Sequence, residues 1–363
     1  MRLAVAVLLL AGCHSRPPGI AVAQSAEVGL VPQSGLIQGH DGASSAMLFG
    51  HSVWLYGDTP LTVADAAGET WHTNSFAVTD DLDASDGLSG FRERLDAAGA
   101  PLQLIANTAE EAAFNRAHRG DPCAAAPCGA HWALWPGAAV FDAPRRRALI
   151  WYGLIYGEPG PFNFHGVGQS LAVWDDESAL PTRPVVAAGS AHATLLFGEN
   201  EPGYGAAALL EGEFLYSFAC DPSGFDRPCT IARVSAASAL DRSSWTFWEG
   251  SAWTARLGAA RAVFDGGLGL TVFRLGGQWV AAYAAPLSSD VEARTAPALT
   301  GPWSDAVRLF TADRKGDDGW TYDAYVHPEL TPPGEKALYV TYTRSTHQGW
   351  FASETVLVRV DLR

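Results

Sequence analysis

The sequence predicts an all-β protein, a five-bladed β-propeller with a partly helical insertion around residues 84–130. Three observations lead there. Short apolar-aromatic runs alternate with Gly, Asp, Pro and Ser turns, as in AAVFDAPRRRALIWYGLIY, AALLEGEFLYSFAC, LTVFRLGGQWVAAYAAP and ELTPPGEKALYVTYT, and each reads as strand, turn, strand. Such hairpins recur at intervals of roughly 60 residues, the mark of a repeat architecture. A third strand of the type SLAVWDD, CTIARVS, VEARTAP or TVLVRVD follows, giving about four strands per unit, the content of a propeller blade. The five units run from Leu36 to Leu82, His131 to Pro184, Thr194 to Trp253, Arg256 to Leu309 and Trp320 to Leu362. The first strand of each blade lines the axis, so chemistry is expected at blade starts.

Ahead of the first unit stands an export signal. MRLAVAVLLLAGC has Arg2, an apolar run from Leu3 to Leu10 too short to span a bilayer, and then Leu10-Ala11-Gly12-Cys13. Those four residues match the bacterial lipobox, in which the cysteine is lipidated and becomes the mature N-terminus. The alternative is an ordinary signal peptide cut near Ala23 or Ala26. The lipobox reading makes residues 1–12 the signal peptide, Cys13 the lipid attachment site, 13–30 a flexible tether and 31–363 the propeller domain. His14 follows the cysteine, so the expected location is the cell surface or outer membrane.

The first unit carries the most informative stretch, GHDGASSAMLFGHSVWLYGDT followed by NSFAVTD. Asp41 and Asp58 flank two apolar runs that meet at Phe49-Gly50-His51-Ser52, a hairpin turn because Gly beside a small polar residue tolerates positive φ. A two-residue turn at Phe49-Gly50 sets position 41 opposite 58; a turn at Gly50-His51 sets 41 opposite 60 and leaves Asp58 one diagonal away. Either register brings two carboxylates to one end of one hairpin, roughly 5–8 Å apart, the range glycoside hydrolysis uses. An Asp in Gly-Asp-Thr also accepts backbone N–H bonds in turns, which is the structural alternative.

The insertion contains FRERLDAAGAPLQLIANTAEEAAFNRAH (91–118), whose apolar residues recur at helical spacing, interrupted by Gly99 and Pro101. Cys123 and Cys128 sit in DPCAAAPC, Cys220 and Cys229 in ACDPSGFDRPC. In an exported chain they predict two local disulfides, Cys123–Cys128 and Cys220–Cys229. A zinc site would need C-x-x-C spacing with partner His residues, and the chain lacks such a set. No cofactor is expected, and a structural ion on the propeller axis stays open.

Bulk composition narrows the partners. With 24 Lys and Arg against 39 Asp and Glu the net charge is −15, and the only basic run, Arg145-Arg146-Arg147, lies in a turn, so nucleic acid is not an expected partner. Thirteen Trp and ten Tyr fill cores and also form stacking surfaces for sugar rings. No Gly-x-Ser-x-Gly elbow is present, GVGQS (166–170) is too short for a dinucleotide fingerprint, and DAAGETW (65–71) is one residue longer than a sialidase Asp-box and reads as a turn.

GHDGASS, WLYGDT, NSFAVT and the five-unit layout together resemble the family named domain of unknown function 4185. Some of its members are classed as glycoside hydrolase family 183, endo-acting D-arabinanases. The resemblance spans about residues 35–363, is most specific in the hairpin from Asp41 to Thr59, and holds mainly in layout over the later blades. It implies a propeller glycosidase acting on furanosides, with Asp41 and Asp58 as the paired catalytic aspartates. The insertion at 84–130 is atypical, which leaves the substrate open.

Asp41, on the inner strand, is then the expected base or nucleophile and Asp58 the acid. Glu199 and Glu201, in FGENEPGYG, are rival acids, because related propeller glycosidases place the acid on a later blade; the structural alternative is a solvated loop. Candidate substrate-binding residues are His40 beside Asp41, Asn74, Trp135 before Pro136-Gly137, His165 in the Gly-rich FNFHGVG segment, and Tyr325 and His327 in YDAYVHPEL. Each has a packing or turn alternative. The expectation is a lipid-anchored, monomeric hydrolase of a furanosidic polysaccharide, most simply D-arabinan of the arabinogalactan type. The rivals are a propeller glycosidase acting on another glycan and a non-catalytic carbohydrate-binding surface lipoprotein.

Overall fold

A computed structural model describes residues 19–224, 226–316, 319–346 and 352–363. The signal peptide and lipobox, including Cys13, lie outside the described residues. The chain is mainly β and forms a five-bladed propeller, with one short α-helix among the described residues.

Blade one has three strands, Ser44–Leu48, His51–Tyr56 and Ser75–Thr79, with a separate two-stranded ribbon, Thr59–Pro60 with Trp71–His72. Blade two is His131–Asp142, Arg147–Gly157, Phe164–Trp174 and Phe197–Gly198. Blade three starts at Ala207–Glu211 and continues through Phe214–Cys220, Pro228–Ser235, Thr246–Trp248 and Trp253–Thr254; Ala262–Asp265 also pairs with its third strand. Blade four is Leu268–Leu275, Gln278–Ala284, Asp290–Ala296 and Val307–Thr311. Blade five is Thr321–Val326, Ala337–Ser345, Ser353–Leu362 and, at its outer edge, Val22–Leu30 from the N-terminus.

That last pairing corrects the expected tether. Val22–Leu30 is a strand, antiparallel to Ser353–Leu362 in the register Ser25 opposite Val360, and it closes the ring by joining the two ends of the chain. Glu27 on it accepts a 2.7 Å hydrogen bond from Tyr342 and pairs with Arg344. Two blade boundaries also move. Phe197–Gly198 completes blade two, and Ala262–Asp265 belongs to blade three, so blade four begins at Leu268 rather than Arg256.

The core lies between blades. Middle strands such as His51–Tyr56, Gln278–Ala284 and Ala337–Ser345 are buried on both faces because each sheet is sandwiched by its neighbours, so they read as near-continuous apolar runs. The inner strands converge so tightly that a Cβ on Gly137 would lie 2.6 Å from the carbonyl oxygen of Gly205, itself at φ +110°. A cavity of about 290 Å³ remains on the axis, lined by residues of all five inner strands.

In the insertion only Ala109–His118 is helical. Its start is fixed by a capping box: Glu111 N–H donates to Thr108 Oγ1, and Thr108 N–H donates to the Glu111 carboxylate. Upstream, the Asp96 carboxylate accepts the N–H groups of Ala98 and Ala100, and Gly99 takes φ +83° ahead of Pro101. This turn stops helix formation over 91–107 despite the apolar spacing. Both disulfides are present, Cys123–Cys128 and Cys220–Cys229.

Candidate active site

Blade one turns through Phe49 (φ +55°) and Gly50 (φ +95°), and its strands pair Leu48 with His51 and Ser44 with Leu55. Two positive φ values in a two-residue loop match the twist of a hairpin. Continued outward, this register sets Asp41 opposite Asp58, the first of the two arrangements the sequence allows. Asp41 N–H donates to Asp58 O at 3.0 Å and Gly57 N–H to Asp41 O at 2.8 Å, so Gly57 and Asp58 together face Asp41 in a local bulge.

Each carboxylate is partly buried and has one firm donor. Tyr322 Oη donates to Asp41 Oδ1 at 2.6 Å, and Trp71 Nε1 donates to Asp58 Oδ1 at 3.0 Å. The Trp135 indole N–H also acts on Asp58, although it makes no hydrogen bond of ordinary geometry. Burial pushes the Asp58 carboxyl up to about 7, with the nearby Asp41 charge adding to the rise and the indole donors opposing it. Burial raises Asp41 as well, and the Tyr322 hydroxyl opposes that rise. Both carboxyls are thus shifted upward, Asp58 to about 7, and each has a donor that opposes the rise, Tyr322 on Asp41 and Trp71 on Asp58.

A third carboxylate joins them. Asp323, on the inner strand of blade five, takes φ +50°, uncommon for a residue with a side chain, and lines the axial cavity with Tyr325 and Arg227. Gly42, next to Asp41, packs against Asp323 and Tyr325: the position of a Cβ on it lies 3.6 Å from Asp323 Oδ2 and 3.7 Å from Tyr325 Oη. Burial, followed by the Asp41 charge, raises Asp323 to about 7, and Arg227 pulls the other way. Arg227 sits at the foot of the loop closed by Cys220–Cys229. Among the described residues no set of three or more His, Cys, Asp or Glu is arranged to hold a metal ion.

The other candidates divide. Trp135 and Tyr325 stand at the site. His40 is adjacent but buried, stacked on Tyr56 at 3.8 Å with Nδ1 against Gly42 O, and burial lowers it to about 4. Asn74 is fully buried; its amide donates to Ile105 O and Leu134 O and accepts from Ile105 N–H, so it ties blade one to the insertion and blade two instead of meeting a sugar. His327 is likewise enclosed between Ser45 and Thr341 and stacked on Trp54, which makes it an interior residue. His165 lies in the strand Phe164–Trp174, not in a loop, paired with Tyr156. Glu201 is engaged by Arg242 and by Gly198 N–H, and Glu199 is exposed; among the described residues no contact brings either to the paired aspartates. Sequence reading missed Asp323, Tyr322 and Trp71. The rule that singled out Asp41, a carboxylate at an inner-strand start, also fits Asp323 in TYDAYVH.

Residues 174–353, from the third strand of blade two into blade five, match the family model described as domain of unknown function (DUF4185). The hairpin of Asp41 and Asp58, on which the resemblance seemed most specific from sequence, lies outside that stretch. No curated protein matches the chain. Among solved structures, a Bacteroides ovatus ATCC 8483 protein with a provisional hydrolase designation superposes with a TM-score of 0.59 at 15% identity, covering 92% of this chain and 87% of that one. A thermostable family-43 glycoside hydrolase gives a TM-score of 0.50 at 11% identity, covering 91% of this chain and 92% of that one. At such identities the likeness is one of fold.

Proposed function

We propose that the protein is an exported glycoside hydrolase that cuts a furanosidic polysaccharide, D-arabinan of the arabinogalactan type, within the chain. The observation that carries this reading is the pair Asp41 and Asp58 on facing positions of one hairpin, both raised by burial and each with its own hydrogen-bond donor. Asp58, protonated near neutrality, donates its proton to the leaving glycosidic oxygen. Asp41, whose carboxylate form accepts the Tyr322 hydroxyl hydrogen bond, acts as base or nucleophile at the anomeric carbon. In its ionised form Asp323, beside Asp41, helps stabilise a positively charged, oxocarbenium-like transition state. Resemblance to the endo-D-arabinanases, together with the shared propeller fold, supports the substrate class. Anchoring through Cys13 is part of the same proposal, since a polymer too large to import must be cut outside the cell. Incubating the purified protein with mycobacterial arabinogalactan and separating the products tests it: oligosaccharides are expected, and an unchanged polymer would count against it.

A further inference from the structure

Blade two continues past the carboxylates as a three-stranded ribbon. Its rows run Trp135–Gly153–Gln169, Ala133–Ile155–Gly166 and His131–Gly157–Phe164. Alternate residues share a face, so Trp135, Phe164 and His131 stand together above a floor that glycine leaves low. Trp135 and Phe164 meet edge to face at 4.9 Å. The His131 ring lies across Gly157, where a Cβ would come within 2.8 Å of it. Phe164 is 46% exposed, unusual for a large aromatic on a strand. On the opposite side of the carboxylates, Trp320 is 47% exposed, and its ring lies 5.5 Å from that of Tyr322, the donor to Asp41.

From this geometry we infer that the carboxylates lie between two aromatic sugar-binding platforms. Trp135 and Phe164 form the one on the Asp58 side, and Trp320 with Tyr322 the one on the Asp41 side. The occupant is a neutral glycan chain threaded across both. Sugar faces rich in C–H pack on exposed aromatic rings, which bury area at little entropic cost. A neutral chain fits because three aspartates surround the reacting bond and Arg227 alone, among the charged residues lining the axial cavity, is cationic. Platforms on both sides require sugars on both sides, so the bond cut lies within the chain. The inference rests on the proposed glycosidase reading and adds the residues that set its mode of attack.

Calorimetric titration of the Asp58→Asn protein with D-arabino-oligosaccharides of increasing length tests it, alongside product analysis of the catalytically intact variants. Affinity is expected to rise with chain length until both platforms are filled. Phe164→Ala and Trp320→Ala should each weaken binding of the long ligands by about tenfold, raising KM on polymer while leaving kcat near wild type. Wild-type hydrolysis with neither variant altering long-ligand affinity would overturn the platforms and leave the glycosidase reading standing, as would release of terminal single sugars only. Absence of both hydrolysis and binding in the wild-type protein would overturn both.

Discussion

At the scale of single residues, the account turns on what tunes each of two neighbouring carboxyls. Tyr322 is the lever on Asp41. Its hydroxyl bond favours the carboxylate, so Tyr322→Phe is expected to raise the Asp41 pKa and shift the acid limb of the pH–rate profile to higher pH. A hydrogen bond to a charged group is worth about 1.5–3 kcal/mol, which corresponds to a shift of roughly one to two pH units. A profile that does not move would remove Tyr322 from the mechanism. Asp58 gives the other limb. As the proton donor, with a pKa of about 7, it should lose activity as pH rises through that value. The same shift is a stability statement. A carboxyl whose folded pKa is raised contributes stability that is complete below its unfolded pKa and is lost as pH rises through the folded one. Asp58→Asn should therefore flatten the decline in thermal midpoint between about pH 4 and 7 relative to wild type. Parallel declines would show that Asp58 is not perturbed.

Single elements show what local sequence encodes well. Phe49-Gly50 is a two-residue loop with alternating strands on either side, and its register alone sets Asp41 against Asp58. That much was legible by counting. The helix was legible only from Thr108 onward, where Thr and Glu three apart supply a capping box. The apolar spacing upstream was misleading because Asp96 and Gly99 make a turn whose hydrogen bonds compete with helix. Asn74, His40 and His327 looked like sugar contacts because they are polar residues near blade starts. Their burial depends on neighbouring blades that no local window reveals. The loop between Cys220 and Cys229 bears on function through Arg227, which faces Asp323. Replacing both cysteines by Ala should loosen that loop and raise KM several-fold, with a modest loss of thermal stability. Unchanged KM in the double variant would mean that Arg227 does not need the disulfide to hold its place.

For the whole molecule, the decisive relations are long-range. The repeat of hairpins made five blades readable, but the ring closes through Val22–Leu30, a stretch with most side chains exposed and no apolar alternation. It becomes a strand because the last strand of the chain offers it an edge. Asp323 joins the site in the same way, from the far end of the sequence. Val22–Leu30, as a strand, is no part of the expected tether. Cys13→Ala is expected to move the protein from the membrane fraction to the soluble one with unchanged specific activity on soluble substrate. A wild-type protein that fractionates as soluble would refute the anchor.

The central claim, that Asp41 and Asp58 perform hydrolysis, is tested most directly by measuring oligosaccharide release from arabinogalactan by wild type, Asp41→Asn, Asp58→Asn and Glu201→Gln under one set of conditions. Loss of a general acid or base lowers the rate by about 10²–10⁴-fold. The expected result is a fall of at least that size in both aspartate variants, with circular dichroism unchanged, and near-normal turnover in Glu201→Gln. Near-normal turnover in Asp58→Asn together with an inactive Glu201→Gln would contradict the account and move the acid to blade three.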